Sequence, residues 1–189
     1  MKDHDQTIQS NPLLDSLFGK FGFSKLTEIQ KKASPIILQK KDCLVIAPTG
    51  SGKTECSVIP IFSLLKNSKH AGKIKALYIT PLRALNRDVF RRITNYAHEN
   101  QLTIEIRHGD TTQKDRRKIT ENPPDILITT PETLVILLTQ VKMLTALSEL
   151  EWIVIDEVHE LLSSERGSQL SLSIERLELN SKYPLSKVG

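Results

Sequence analysis

Cysteine is scarce in this 189-residue chain, and the two present, Cys43 and Cys56, have no metal-like spacing. Nothing in them suggests a disulfide framework or an oxidising compartment; flanking a glycine-rich stretch, they read as small buried hydrophobes. Long apolar runs are also absent. The longest, such as residues 134–138, are too short to span a bilayer, and the opening MKDHDQTIQSN is polar throughout, so a soluble protein of the cytoplasm is expected. Charge of one sign does not dominate either. With 26 Lys and Arg against 22 Asp and Glu, the net charge of +4 suits a polyanionic partner without requiring one. No internal repeat or low-complexity linker divides the chain. Its length and 39% hydrophobic content fit one globular domain over residues 12–189, after a stretch, 1–11, expected to fray.

Helical spacing recurs at Leu13, Leu14, Leu17 and Phe18, and Thr27 reads as the N-cap of a second helix running to about Leu38. Strands are expected at Cys43–Ile46, Ala76–Ile79, Thr103–Ile106, Ile126–Ile128 and Trp152–Ile155, and helices after the glycine stretch, after TPLRALNRD and over about Ser168–Leu179. This alternation predicts an α/β fold with a mostly parallel sheet and helices on both faces. Polar motifs follow nearly every strand, which places them along one edge of that sheet.

Two strings carry chemistry. The first, APTGSGKT at Ala47–Thr54, reads as strand, glycine loop, helix, with loop amides and the helix N-terminus converging on phosphate oxygens. Thr49, Gly50, Ser51 and Gly52 form the cradle, the two glycines letting the backbone curl without a Cβ. Lys53 is placed to reach the β/γ-phosphates, and the Thr54 hydroxyl to hold Mg²⁺. The strict pattern begins with glycine, where this chain has Ala47. The second string, VIDEVH at Val154–His159, ends an apolar strand in two carboxylates. Asp156 is expected to bind Mg²⁺, and Glu157 to orient and deprotonate a water. An isolated Asp–Glu pair more often merely offsets a helix dipole; its occurrence with the GKT loop argues for a nucleotide triphosphatase.

These strings resemble the first RecA-like domain of superfamily 2 helicases, a P-loop NTPase fold, and DEVH resembles the DExH branch. TPLRALNRD (Thr80–Asp88), RHGDT (Arg107–Thr111), PPDILITTPETL (Pro123–Leu134) and DEVHEL followed by RGSQL are similar to the large helicase-related (Lhr) DNA helicases. The resemblance implies ATP and Mg²⁺ as cofactors and single-stranded DNA as partner. GFSKLTEIQ resembles the Q motif, so Gln30 would contact adenine, with Phe21 or Phe23 stacking on it. Motifs Ia and Ib would grip nucleic-acid phosphates through Thr80, Pro81, Arg83, Asn86, Gly109, Thr130 and Glu132, and His159 would link nucleotide to motif III. Independently, Arg83, Arg87, Arg91 and Arg92, with Arg107, Arg116 and Arg117, are numerous enough to neutralise a phosphate backbone, although solvated helix faces give similar runs.

The expected function is therefore the ATP-hydrolysing motor of a DNA helicase, with Lys53, Asp156, Glu157 and His159 as its catalytic set. An RNA-remodelling helicase shares every ATP-site residue, and a non-enzymatic ATP- or nucleic-acid-binding module is the other alternative. The resemblance places an arginine finger in a second RecA-like domain. Similar helicases continue from Lys187-Val188-Gly189 into motif III, so a sheet truncated at its centre, and little unwinding by the chain alone, are also expected.

Overall fold

The computed structural model describes residues 11–66, 72–81, 87–161 and 165–189. Five strands, β1 (Ala76–Ile79), β2 (Ile104–Arg107), β3 (Ile126–Thr129), β4 (Trp152–Ile155) and β5 (Ser186–Val188), form one all-parallel sheet in the order β2-β3-β1-β4-β5. Connections run through α1 (Pro12–Gly19), α2 (Glu28–Leu38), α3 (Lys53–Leu65), α4 (Arg87–Glu99), α5 (Gln113–Glu121), α6 (Pro131–Leu137), α7 (Val141–Ala146), α8 (Val158–Leu161) and α9 (Glu165–Asn180).

Alternation along each strand sorts the core into two layers. Ala76, Tyr78, Ile126, Ile128, Trp152 and Val154 face one side, where they pack with Phe18, Ile37, Ile59 and Ile93 of α1 to α4. Leu77, Ile79, Leu127 and Ile153 face the other, against Leu134 and Leu137 of α6, Met143 of α7 and Leu177 of α9. A strand buried on both faces needs apolar residues at every position, which is why ALYI and WIVI are continuous rather than alternating runs.

The helix starts follow local chemistry. The Asn11 side chain accepts from the N–H groups of Leu13 and Leu14, so the last residue of the stretch expected to fray is an ordered cap; residues 1–10 lie outside the described residues. Thr27 and Gln30 form a complete capping box at α2, satisfying two otherwise orphaned N–H groups.

The structure corrects two expectations about the centre of the sheet. Cys43–Ile46 is an extended segment joined to the sheet by an isolated bridge, Cys43 to Val188, not a regular strand. Leu44 is 65% and Ile46 84% exposed, whereas the alternate residues Cys43 and Val45 on the other face pack against the core. The partner in that bridge is the second correction. The strand expected to be missing between the glycine-loop segment and β4 is present as β5, which pairs with Trp152–Val154. On its other side, Cys43 N–H donates to Lys187 O (2.9 Å), Gly189 N–H to Cys43 O (3.0 Å) and Val45 N–H to Gly189 O (2.6 Å). Three residues suffice for the ladder, so the centre is not left short of hydrogen-bond partners there. No helix among the described residues is long and apolar enough to cross a membrane.

Candidate nucleotide and nucleic-acid site

All the parallel strands end on one edge, and the glycine loop rises from the same edge into α3. Gly52 is the N-cap of α3 with φ of 88°, a left-handed conformation that side chains disfavour. A Cβ there would also stand 2.5 Å from the Gln30 amide nitrogen. The first turn of α3 leaves N–H groups without helical partners, directed out of the helix end. Lys53 Nζ donates to the Ala47 carbonyl at 2.8 Å, so the ammonium is already folded over the loop it would share with phosphate.

Opposite the loop, β4 ends in the carboxylates. Asp156 N–H donates to Ile79 O at 2.8 Å, extending the ladder by one residue and fixing where its side chain emerges. Asp156 Oδ1 accepts the Glu157 N–H (3.0 Å), and Oδ2 accepts the Tyr78 phenol (2.7 Å). Glu157 has φ of 50°, a strained conformation for a residue with a side chain, of the kind that concentrates at functional sites. Its carboxylate lies 3.3 Å from His159 Nδ1. Tyr78 is buried, and burial first, then the Asp156 charge, hold its phenol well above the ordinary tyrosine range, against a smaller opposing effect of the Thr54 hydroxyl. The phenol is therefore a fixed donor to Asp156.

Two adjoining cavities of about 560 Å³ each meet here, sharing Thr49, Lys53, Thr54, Asp156 and Glu157. One extends toward His159, Val188 and Gly189. The other extends toward Gln30, Phe23, Arg92 and Tyr96, which places Phe23 rather than Phe21 beside the candidate base pocket; Phe21 packs edge-on against Tyr96. Gln30 itself is buried, with its Oε1 accepting from Thr27 N–H and its amide nitrogen against Gly52. No cluster of three or more His, Cys, Asp or Glu that could hold a metal occurs among the described residues. Thr54 and Asp156 alone fit Mg²⁺, which takes one or two protein oxygens and completes its shell with phosphate and water.

Sequence reasoning missed Tyr78 and Glu55, and read Arg92 only as part of a basic run. Glu55 is buried directly after Thr54, and Arg92 Nη1 bonds its carboxylate at 2.6 Å, so one arginine of the basic run is tied to the loop helix. Tyr78 carried one usable signal: in register with Val154, it shares a sheet face with Asp156 two residues on. Cys56 is fully buried, its thiol pushed up to about 12 chiefly by that burial, with Cys43 and Glu55 adding to it, which suits a hydrophobe and not a nucleophile.

The candidate nucleic-acid residues are less uniform. Arg83 and Asn86 lie outside the described residues. Thr80 and Pro81 are buried, as is Thr130, whose hydroxyl caps α6 by accepting from Thr133 N–H. Glu132 pairs with Arg166 at 2.9 Å. Gly109 is exposed, and its carbonyl accepts from Arg116. Arg107 is buried and bonded to Gln140, hence turned inward.

The DEAD/DEAH box helicase family model matches residues 27–187. The ATP-dependent helicase Lhr-Core of Saccharolobus solfataricus is 39% identical over 81% of this chain and 19% of its own length. The Lhr helicase/uracil glycosylase of Escherichia coli is 39% identical over 88% of this chain and 12% of its own. The structure of Mycobacterium smegmatis Lhr bound to ssDNA and AMP-PNP superposes with a TM-score of 0.80 at 34% identity, covering 95% of this chain and 24% of that one. The chain thus spans a fifth or less of the length of these two curated relatives. A phosphate loop and a carboxylate strand meeting on one edge of a RecA-like sheet, with this match along the chain, place it in the DEAD/DEAH box helicase family, among proteins similar to the Lhr helicases.

Proposed function

We propose that this chain is the Mg·ATP-binding motor domain of an ATP-dependent DNA helicase, in which hydrolysis drives movement along a single strand. The observation that supports it most is the convergence of Lys53, Thr54, Asp156 and Glu157 on two joined cavities at the strand ends. Nucleotide phosphates take the loop amides and displace Lys53 Nζ from the Ala47 carbonyl. Thr54 and Asp156 would hold Mg²⁺, which would supply positive charge beside the phosphates. Glu157 orients a water toward the γ-phosphorus and accepts its proton as the new P–O bond forms and the bond to the β-phosphate oxygen breaks. His159, beside Glu157 and lining the same cavity as Val188 and Gly189, relays the state of the nucleotide to β5. A second RecA-like domain supplies the arginine that completes charge neutralisation.

Single-stranded DNA runs over the strand-end loops, held by phosphates and not bases. Gly109 and Glu132 belong to this surface, while Thr80, Pro81 and Thr130 hold the loops in shape; Arg83 and Asn86 are assigned phosphate contacts from the motif Ia resemblance alone. The ssDNA bound to the M. smegmatis protein supports DNA as the polymer.

Fluorescence anisotropy with labelled strands tests this reading. Affinity should fall as salt rises, with a slope of about −0.7 per phosphate contacted, and should be indifferent to base sequence. Binding that ignores salt contradicts phosphate contact, and preference for RNA over DNA of the same sequence favours the RNA-remodelling alternative. In a chain extended through the second RecA-like domain, Glu157→Gln should keep nucleotide binding and lose hydrolysis by about a hundredfold or more; unchanged turnover would assign the base elsewhere.

A further inference from the structure

On this reading of the nucleotide site, we propose that Tyr78 is a positioning residue for the divalent cation: its phenol, bonded to Asp156, holds that carboxylate in the orientation that receives Mg²⁺. Tyr78 sits on β1, the strand beside β4, and its side chain is 3% exposed. The pairing of Tyr78 with Val154 puts its ring on the face from which Asp156 projects, and the ring is long enough to span the two-residue offset. Its oxygen ends 2.7 Å from Asp156 Oδ2.

Proton accounting gives the arrangement a direction. A phenol has one hydrogen to donate, and Asp156 accepts it. Asp156 spends one lone pair on the phenol and one on Glu157 N–H, keeping others on both oxygens for the cation or its water shell. The two contacts lock the carboxylate rotamer before the cation arrives. Partners of this kind, one bond behind the metal ligands, change metal affinity about 10- to 100-fold when removed. A phenylalanine would fill the same space and pack equally well, so the hydroxyl is separable from the ring.

Tyr78→Phe is therefore the test, read by calorimetric titration of the 189-residue chain with AMP-PNP. In EDTA the variant should bind the nucleotide within about twofold of the unmutated chain, whereas the Mg²⁺ concentration giving half-maximal enhancement should rise about tenfold. In an Asp156→Ala background the same change should have no further effect. An unchanged Mg²⁺ midpoint, with or without a lower melting temperature, overturns the proposal and leaves the hydroxyl a structural bond. If the unmutated chain shows no Mg²⁺ enhancement at all, the nucleotide-site reading fails first, a distinguishable result. Should Tyr78→Phe not fold, a Tyr96→Phe, Tyr183→Phe chain leaves Tyr78 as the one tyrosine. Adding Mg²⁺ to its nucleotide complex should then shift the Raman tyrosine doublet that reports phenol hydrogen bonding, and an unshifted doublet overturns the proposal.

Discussion

Gly52 shows how much one residue can decide. Its φ of 88° costs a side-chain-bearing residue about 1–2 kcal/mol, and Gln30 blocks the space a Cβ would take. Gly52→Ala should therefore lower the melting temperature by roughly 2–8 °C and weaken nucleotide binding by disturbing the loop. Equal melting and equal affinity would show that the loop does not depend on this conformation. Arg92→Ala acts by another route. It strips the partner from a Glu55 carboxylate that is only 5% exposed, although Arg92 is itself half-exposed; screening at the arginine keeps the cost near about 1–2 kcal/mol. Thermal unfolding should show a fall of a few degrees, largely reversed by adding Glu55→Gln. The GKT and DEVH residues were legible from sequence because their chemistry depends on local spacing. The roles of Tyr78, Glu55 and Arg92 were not, because each acts through a neighbour far away in the chain, and only strand register and helix packing bring the pairs together.

Elements were legible in proportion to the width of their apolar face. ALYI and WIVI are buried on both sides, and their observed ends are those read from the sequence. α5, QKDRRKITE, went unread because Ile119 is its one buried residue, too thin a stripe to give a helical period. α6 and α7 are seven and six residues long, shorter than periodicity can resolve. Cys43–Ile46 read as a full strand because its apolar composition suits one, while its reduction to an isolated bridge with Val188 is a property of the fold. The β1, β2 and β3 region also carries a pH-sensitive tie. Asp125 accepts from the Thr103 N–H (2.9 Å) and hydroxyl (2.8 Å) and pairs with Lys75 Nζ at 3.0 Å. Burial alone would raise its pKa, but these bonds together pull it below the ordinary 3.8. A carboxyl with a depressed folded-state pKa stabilises fully above its unfolded value and loses that contribution as pH falls through the folded one. Acid unfolding should therefore steepen below about pH 4, and Asp125→Asn should be less stable at neutral pH with a flatter acid limb. Parallel stability–pH curves for the two chains would exclude this tie as a source of acid sensitivity.

Across the whole molecule, the sheet order gathers the Ala47–Thr54 loop and the Asp156–Glu157 strand end from about a hundred residues apart onto one edge. β5 joins them by lying between the loop segment and β4, so its position couples the two halves of the site. The central claim is that these halves form one Mg·nucleotide site. Calorimetric titration of Mg·AMP-PNP into the unmutated, Lys53→Ala and Asp156→Ala chains tests it most directly. Saturable one-to-one binding by the unmutated chain, weakened at least about tenfold in either variant, a loss of about 1.4 kcal/mol or more, is the predicted result. Equal affinity in all three chains, or no binding in any, would contradict it.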